Sequence, residues 1–599
     1  MARRPPRHVE ELLKRSGDVL IAYGPSRLSS EVVADLIKVV SALASDAERL
    51  AGRVHRSGPA AGEFMELALS RWTNEINAGP GWSGAKSLFL LRRLPMELLA
   101  MLVMGADASD RQLTGCIVGT ERLVVATLKG RATEPERVDV IEGTAVYRFG
   151  DEELLDFMRR VVATSHLWLM QCTARIVGKG CDVIVDRGGV PAAVETEGLR
   201  RALDVYDKRS RHIDDIGIAG TQVWRDAKES TTTTISWWGP RAPADLYYGE
   251  LRSDEVAQAE RRARARQIDV EGLNDPSANR AAIDVTYIAL PFKRERFDLA
   301  PLGEVTTALN AKDADWYEPD LLSVLALLHA LDRVKDEVFD FQVEHSGYLR
   351  TDREGLFDLL NGNSSRFADL VAAVLPEAEI APRKLMTRLL RAQGSVYPTV
   401  DGPLVSPSAN GELLVDLVTA SRRVIWLLTL TSSGGGSRAV ARGGHFEALV
   451  RSEIQRLGYG PRDNALAEIV GRQLKRNGEF ITDIDGIVDL GDGTVLFVSA
   501  KSYPYTAEYA SGRYAAVSAI TSKVLKDIKT WEQRLHKLLA APTGPTQNFQ
   551  LPARNYVGLV VTPFSPFLPS PECDTEAVPG LRRTGSLKEL TEWLSLRTD

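Results

Sequence analysis

The strongest constraint on the fold comes from one segment, Ile481–Ser502, which reads ITDIDGIVDLGDGTVLFVSAKS. Apolar and polar residues alternate through its first half, and a second apolar run fills the other half. The two runs are joined by Gly491-Asp492-Gly493. Two β-prone runs that flank a short glycine-containing turn predict a β-hairpin.

A three-residue loop centred on Asp492 would fix the register of this hairpin. It sets Asp485 opposite Ser499 and Asp483 opposite Lys501. Because side chains alternate between the two faces of a strand, these four residues are expected on one face. Two carboxylates and one ammonium within cross-strand reach suit metal-assisted phosphodiester cleavage. Carboxylate oxygens hold Mg²⁺, and the metal and the lysine stabilise charge on the phosphate.

The elements predicted around the hairpin follow a recognisable order. A helix is expected to open at His445-Phe446-Glu447, upstream of the hairpin. Downstream, the apolar spacing predicts a long helix over 522–539 and a strand from Tyr556 to Thr562. Ser586-Leu587-Lys588-Glu589 has the pattern of a capping box, which begins a short final helix.

This order of motifs resembles the PD-(D/E)XK nuclease superfamily, and the resemblance runs from about residue 443 to the end. It implies an α/β restriction-endonuclease-like domain and a bound Mg²⁺ or Mn²⁺. Asp485 then stands at the family's aspartate position as the principal metal ligand, and the Ala500 carbonyl completes the inner shell. Lys501 would orient the attacking water and stabilise the phosphate, while Glu447 would bind a second ion or a water on the metal.

One position departs from the pattern of that family. Ser499 stands two residues before the lysine, where an acid is usual. Two explanations stay open. In the first, another carboxylate replaces the missing acid; Asp483 is best placed, and Glu508 and Glu447 are the alternatives. In the second, the site has lost its activity, and the fold binds or scaffolds without cutting.

Composition limits the class of protein. A chain of 599 residues predicts three or four domains, and 44% hydrophobic with 26% charged residues is ordinary for a soluble globular protein. No apolar run has the length and purity of a membrane span, and no secretory signal is visible. Four scattered cysteines indicate a reducing, cytoplasmic location without structural zinc. No phosphate-binding loop is present.

The apolar periodicity divides the chain into five parts. We expect a helical region over 1–110, a mixed α+β region over 111–318 and a second helical region over 319–430. The mixed region is predicted to hold strands at Cys116–Val118 and Leu123–Leu128, and the second helical region a helix over 411–430. The run TSSGGGS predicts a flexible linker over 431–442, before the nuclease-like domain at 443–599.

The net charge of −6 gives no overall signature of nucleic-acid binding. Locally, Lys523, Lys526 and Lys529 recur at three-residue steps in the helix that follows the hairpin, where they would meet phosphates or form a solvated face. The basic run over 259–266 is more typical of an exposed, ion-paired helix. The Trp237-Trp238 pair is more typical of packing than of base stacking.

The sequence therefore predicts a metal-dependent DNA nuclease controlled by a large α-rich sensing region that includes a small mixed-sheet part. Such an architecture suits bacterial defence against phage. Its expected partner is nucleic acid, with a second copy of the chain or an accessory defence protein left open and no membrane partner. The alternatives are an inactive nuclease-like scaffold that binds nucleic acid or protein, and a largely helical interaction protein.

Overall fold

The structure is a computed structural model, and it combines helices with several small sheets. It describes residues 437–540 and 546–597 and, before them, 54–56, 58–78, 91, 115–117, 119–121, 123–124, 138–141, 144–147, 151–185, 191–209, 225–226, 234–238, 294–298, 318–334, 348–372, 380–391, 404–407 and 413–429. The basic run over 259–266 lies outside these residues, as does the predicted helical region before residue 54. Within this described part of the chain, no helix has the length and apolarity needed to cross a membrane.

The segments before residue 430 form helices and short antiparallel sheets. The helices are α1 Gly58–Ala78, α2 Asp151–Val177, α3 Glu197–Arg209, α4 Glu318–Asp332, α5 Arg353–Ala372, α6 Pro382–Arg391 and α7 Leu417–Thr429. The strands are β1 Val54–Arg56, β2 Val138–Ile141, β3 Thr144–Tyr147, β4 Asp182–Val185, β5 Ala192–Val194, β6 Arg225–Asp226, β7 Thr234–Trp238, β8 Arg294–Asp298, β9 Tyr348–Thr351, β10 Val405–Pro407 and β11 Leu413–Asp416. They pair as β1-β4-β5, β2-β3, β6-β8-β7 and β10-β11-β9.

The strands predicted at Cys116–Val118 and Leu123–Leu128 are wrong, because the described residues of this stretch are helical. Buried side chains recur there at helical spacing, at Cys116, Ile117, Thr120, Leu123 and Val124. The Cys116 thiol contacts the Thr120 hydroxyl one turn away, and Thr120 donates to Ser165 of α2. The periodicity of a short apolar run does not distinguish a strand from a buried helix, and here the segment is helical and packs against α2.

The helix predicted over 411–430 is also wrong in its first part. Leu413–Asp416 is a fully buried strand, paired with β9 and β10. The Asp416 carboxylate accepts hydrogen bonds from the Thr419 backbone N–H and hydroxyl, so it caps α7 and ends the strand. The region predicted as helical over 319–430 therefore contains three strands as well as helices.

After residue 436 the described chain is nearly continuous. Its helices are α8 Ser437–Arg456, α9 Asn464–Ile469, α10 Ala507–Ala510, α11 Tyr514–Leu539 and α12 Leu587–Ser595. Its strands are β12 Leu474–Arg476, β13 Glu479–Thr482, β14 Gly486–Asp489, β15 Thr494–Ala500, β16 Asn555–Thr562, β17 Glu576–Val578, β18 Leu581–Arg582 and β19 Thr584–Ser586. Residues 437–442 were predicted to be linker but belong to α8, and 431–436 lie outside the described residues. The predicted order of helix, hairpin, helix, strand and helix is confirmed.

A four-stranded mixed sheet organises this part of the molecule, in the order β14-β15-β16-β19. β14 is antiparallel to β15, whereas β15–β16 and β16–β19 are parallel. Because side chains alternate across the sheet, one face packs against α8 and α12, and the other packs against α11. The capping box predicted at Ser586 is present in both halves and begins α12 directly after β19.

Elements from the N-terminal half complete the core on the α11 face. Cys181, Leu203 and Tyr206 are buried in the same cluster as the side chains of α11 and β15. The backbones of Gly178 and Gly512 meet so closely that a methyl group on Gly178 would lie 1.6 Å from the Gly512 carbonyl oxygen. Arg201 and Asp574 form an ion pair across the same junction. The sheet therefore shares one hydrophobic core with α3.

Candidate active site

The candidate site lies where the ladder between β14 and β15 ends. Gly486 pairs with Val498, which is the register that a three-residue turn centred on Asp492 requires. Gly491 and Gly493 hold positive φ angles of 79° and 93° in that turn, a conformation that glycine adopts without strain. Since the ladder stops at Gly486, the predicted site residues lie just beyond the paired part of the hairpin.

Asp485 occupies the point where the backbone pairing breaks. Its own N–H donates to the Val498 carbonyl at 3.0 Å, while the Ile484 carbonyl turns away to accept from Gly471 at 2.8 Å. The Ala500 N–H is thereby left without a strand partner, and it donates to Oδ2 of Asp485 at 2.7 Å. The local break in the ladder therefore fixes the carboxylate against the end of β15.

The environment of Asp485 disfavours its charge. The side chain is buried, and burial is the main cause that raises the pKa of its carboxyl. The Lys501 ammonium and the Ala500 N–H lower this pKa, but Asp483 raises it further. Oδ1 accepts no hydrogen bond from the residues that the structure describes. Asp485 is therefore a buried acid whose negative charge is only partly compensated.

Glu447 approaches the same point from α8. It is half-buried, and burial together with the charge of Asp485 raises the pKa of its carboxyl. Arg451 and Lys501 lower that pKa, although neither makes an ion pair with Glu447. The structure thus brings Glu447, Asp483, Asp485 and Lys501 within electrostatic reach of one another.

Arg451 belongs to this group and was missed by the sequence reasoning. Its Nη1 donates to the backbone carbonyl of Asp485 at 3.2 Å, which ties α8 to the break in the ladder. Arg451 lies four residues after Glu447, so both side chains lie on one face of α8. That spacing was the available signal.

The alternatives for the missing acid differ in position. Asp483 is exposed, and its charge raises the pKa of both Asp485 and Glu447. Glu508 is exposed on α10 and affects neither pKa. Ser499 is buried, so its side chain does not extend into solvent beside the carboxylates. Of the residues weighed as replacements, Asp483 and Glu447 are the two that the structure brings to the site.

The carboxylates at this point form a region of excess negative charge that a divalent cation would reduce. Burial leaves Asp485 and Glu447 with raised pKa values, and a cation would relieve the excess negative charge. Among the described residues, no three His, Cys, Asp or Glu side chains lie close enough together to hold a metal ion. The protein would therefore offer carboxylate oxygens and the Ala500 carbonyl, and water and phosphate would complete the shell, as is usual for Mg²⁺.

The three predicted lysines are exposed along α11. The Lys523 ammonium lies 5.6 Å from the centre of the Tyr503 ring, and Tyr503 donates its hydroxyl proton to Asp527 at 2.7 Å. Tyr503 follows Lys501 by two residues, so Lys523 lies beside the loop that leaves the site. In the part of the chain that the structure describes, no comparable contact connects Lys526 or Lys529 to that loop.

The chain was compared with protein families, curated proteins and solved structures. No family model matches it, and neither a curated protein nor a solved structure shows significant similarity. The evidence on function is therefore the chemistry of the side chains around Asp485.

Proposed function

We propose that the chain is a metal-dependent phosphodiesterase that cleaves DNA at the end of β15. The observation that carries the proposal is Asp485, a buried carboxylate fixed by the Ala500 N–H and left short of positive charge beside Glu447 and Lys501. Acids whose pKa values are raised by burial and that lie beside a lysine are candidates for catalytic residues.

The residues divide into separate roles. Asp485 would be the principal metal ligand, and Asp483 would replace the acid that the motif carries at the position of Ser499. Glu447 would hold a second ion or a metal-bound water. A bound Mg²⁺ or Mn²⁺ would activate water and neutralise charge on the phosphate. Lys501 makes no ion pair with the described residues, so its ammonium is available to the phosphate charge that develops during cleavage.

The architecture supports the same proposal. A helix carrying an acid, a hairpin ending in a lysine, a long helix, a parallel strand and a short helix occur in the order that the nuclease resemblance implies. Fold-level similarity of this kind raises the expectation of nuclease chemistry but does not define it, since one fold serves many functions. The side chains at the end of β15 therefore carry more weight than the topology.

Contacts between the N-terminal half and the loop that follows Lys501 support the proposed regulatory role. The loop between Lys501 and α11 contacts helices of the N-terminal half. Arg513 pairs with Glu66 of α1 at 2.9 Å, and Gly512 packs against the end of α2. The Phe567 N–H donates to the Tyr509 hydroxyl oxygen at 3.1 Å, and Tyr206 of α3 packs edge-on to Phe567. A shift of these helices would move the loop that follows the lysine.

The direct test is cleavage of supercoiled plasmid and of a labelled single strand by the full chain in Mg²⁺, Mn²⁺ or EDTA. Lys501→Ala and Asp485→Asn should each reduce the rate by about 10²–10³, the usual cost of removing one preorganised electrostatic group. Lys208→Ala, an exposed lysine on α3, is the matched control and should keep the wild-type rate. Cleavage that survives in EDTA or in Lys501→Ala would reject the proposal.

One observation favours a second function, a scaffold of the same fold that binds without cutting. Ser499 replaces the motif acid, and the described residues contain no three-ligand metal cluster. On this alternative the wild-type protein would bind DNA but would cleave neither substrate in any metal. The same assay therefore separates the two functions.

A further inference from the structure

A basic surface with one exposed aromatic ring lies beside the candidate site. The hairpin β12–β13 contributes Lys475, Arg476 and Phe480, and α11 contributes Lys526, Arg534 and Lys537. We call these six residues the hairpin–helix surface. Phe480 keeps 46% of its surface exposed, although large apolar side chains are usually covered.

Defined contacts hold the hairpin and the helix together. The Arg534 guanidinium lies 5.5 Å from the centre of the Phe480 ring, and Arg476 Nη1 donates to the Lys537 carbonyl at 3.4 Å. Asn477 and Gly478 both have positive φ angles, 52° and 80°, which form the tight two-residue turn typical of hairpins. The aromatic ring is therefore presented on a defined hairpin rather than on an irregular loop.

The cations of this surface lack acidic partners. Among the residues that the structure describes, none of the five makes an ion pair. Nε and Nη2 of Arg476 are buried and its Nη1 bonds to α11, so Arg476 fixes the hairpin to the helix and the other four cations are the ones that can meet phosphates. Elsewhere in the same part of the chain, Arg582 and Arg583 pair with glutamates and Arg513 pairs with Glu66. Unpaired cations grouped on one side of the molecule are what a polyanion would neutralise.

Helix geometry selects which lysines of α11 belong to the surface. At 3.6 residues per turn, Lys526 and Lys537 lie within about 20° of each other around the helix. Lys529 lies about 60° from Lys526, about 80° from Lys537 and about 140° from Arg534. Of the three predicted lysines it is therefore the one farthest around the helix from Arg534, which contacts the hairpin, and it is left out of the surface.

Two observations connect the surface with the candidate site. Phe480 precedes Asp483 by three residues, and Lys523, on the same flank of α11 as Arg534, lies beside Tyr503, two residues after Lys501. A strand bound along the cations would therefore lead towards the acids and the lysine.

We propose that the hairpin–helix surface binds single-stranded DNA, with the cations on successive phosphates and Phe480 stacked on an unpaired base. This inference rests on the proposed nuclease function for the direction of the strand. An exposed ring favours a single strand because every unpaired base offers a face for stacking, whereas duplex bases are stacked on one another. The basic residues give affinity without sequence preference.

The test is fluorescence anisotropy of the full chain with a labelled single-stranded oligonucleotide in EDTA, which prevents metal-dependent cleavage. Phe480→Ala should weaken binding about 5- to 150-fold, the range for loss of one stacked base. Lys526→Glu combined with Lys537→Glu should weaken binding at least about tenfold. The plot of log association constant against log salt concentration should become less steep by about 1.4, because each lost phosphate contact removes about 0.7. All three positions are at the surface, so the folded protein should persist. Lys208→Glu reverses the charge of an exposed lysine on α3, away from this surface, and should bind as wild type.

The outcomes separate this inference from the proposed function. Binding that depends on Phe480 and the two lysines, in a protein that never cleaves, would support the surface and reject the nuclease. Metal-dependent cleavage together with binding that none of these variants changes would reject the surface alone. Equal losses of DNA affinity in Lys529→Glu and Lys526→Glu would also overturn it, because Lys529 lies outside the proposed surface.

Discussion

Asp485 and Glu589 are both buried acids in the C-terminal part of the chain, but their surroundings differ. Both oxygens of Glu589 accept from Arg582, and Oε2 also accepts from Ser586 N and Ser565 Oγ. Within the described part of the chain, the Asp485 carboxylate accepts one hydrogen bond, from Ala500 N. The fold can therefore compensate a buried carboxylate fully, and it does so at Glu589.

The difference indicates which acid is structural and which is available for chemistry. A buried charge that is paired and hydrogen-bonded on every side ties elements together, in this case β18, β19 and α12. A buried charge left short of partners costs stability, and such a cost is often found at functional sites. Glu589 is therefore interpreted as structural, whereas Asp485 is the acid that the proposed function assigns to a cation.

The largest expected effect comes from breaking the compensated cluster. Arg582→Ala leaves Glu589 buried without its main cation, which should lower the free energy of unfolding by about 3–5 kcal/mol. Urea denaturation followed by circular dichroism measures this change. Arg200→Ala removes an exposed partner of Glu195 and should cost less than about 1 kcal/mol. Equal losses of stability in the two variants would show that the buried Glu589 cluster has no special structural role.

The junction between the two halves of the chain should give the next largest effect. Gly178→Ala inserts a methyl group 1.6 Å from the Gly512 carbonyl oxygen, so the backbone must move at a cost of about 1–3 kcal/mol. The same denaturation assay measures it. Gly362→Ala, in α5 with no atom within 4 Å of the new methyl, should instead stabilise the protein by about 0.5–1 kcal/mol. Wild-type stability in Gly178→Ala would show that the halves are independent.

Removing the uncompensated charge should have a smaller effect and the opposite sign. Asp485→Asn keeps an oxygen to accept from Ala500 N but carries no charge, so the free energy of unfolding at pH 7 should rise by about 0.5–2 kcal/mol. Nuclease activity should be lost in the same variant. Loss of stability in Asp485→Asn would mean that the charge is compensated after all.

The smallest expected effect is the pH dependence of the stability difference between Asp485→Asn and the wild type. Because burial raises the pKa of Asp485 above 3.8, the folded state binds its proton more tightly than the unfolded state does. The resulting stability is present below pH 3.8 and is lost as the pH rises through the raised pKa. The advantage of Asp485→Asn over wild type should therefore be smallest in acid and grow towards neutral pH. A constant difference from pH 4 to 7 would show that Asp485 has an ordinary pKa.

The hairpin and its turn were predictable because their signals are local. Gly491-Asp492-Gly493 fixes the register, and the register alone sets which residues lie at the end of β15. The capping box at Ser586 was equally local, since its two hydrogen bonds span three residues. These patterns need no knowledge of the rest of the chain.

The remainder depends on contacts between distant segments. Packing against α2 made the stretch around Cys116 helical, and the cap from Asp416 placed a strand before α7. Arg451 reaches Asp485 across 34 residues, and Tyr206 joins the core of a sheet that begins almost 300 residues later. This shared core also argues against testing residues 440–599 alone, because their α11 face would lose α3.

The central claim is that Asp485 is left uncompensated so that a cation can bind beside it, and thermal unfolding with increasing Mn²⁺ tests it most directly. A ligand that binds only the folded state raises the melting temperature in proportion to its occupancy. The account predicts that Mn²⁺ raises the melting temperature of the wild-type chain and leaves that of Asp485→Asn unchanged. The same response in both proteins, or no response in the wild type, would contradict it.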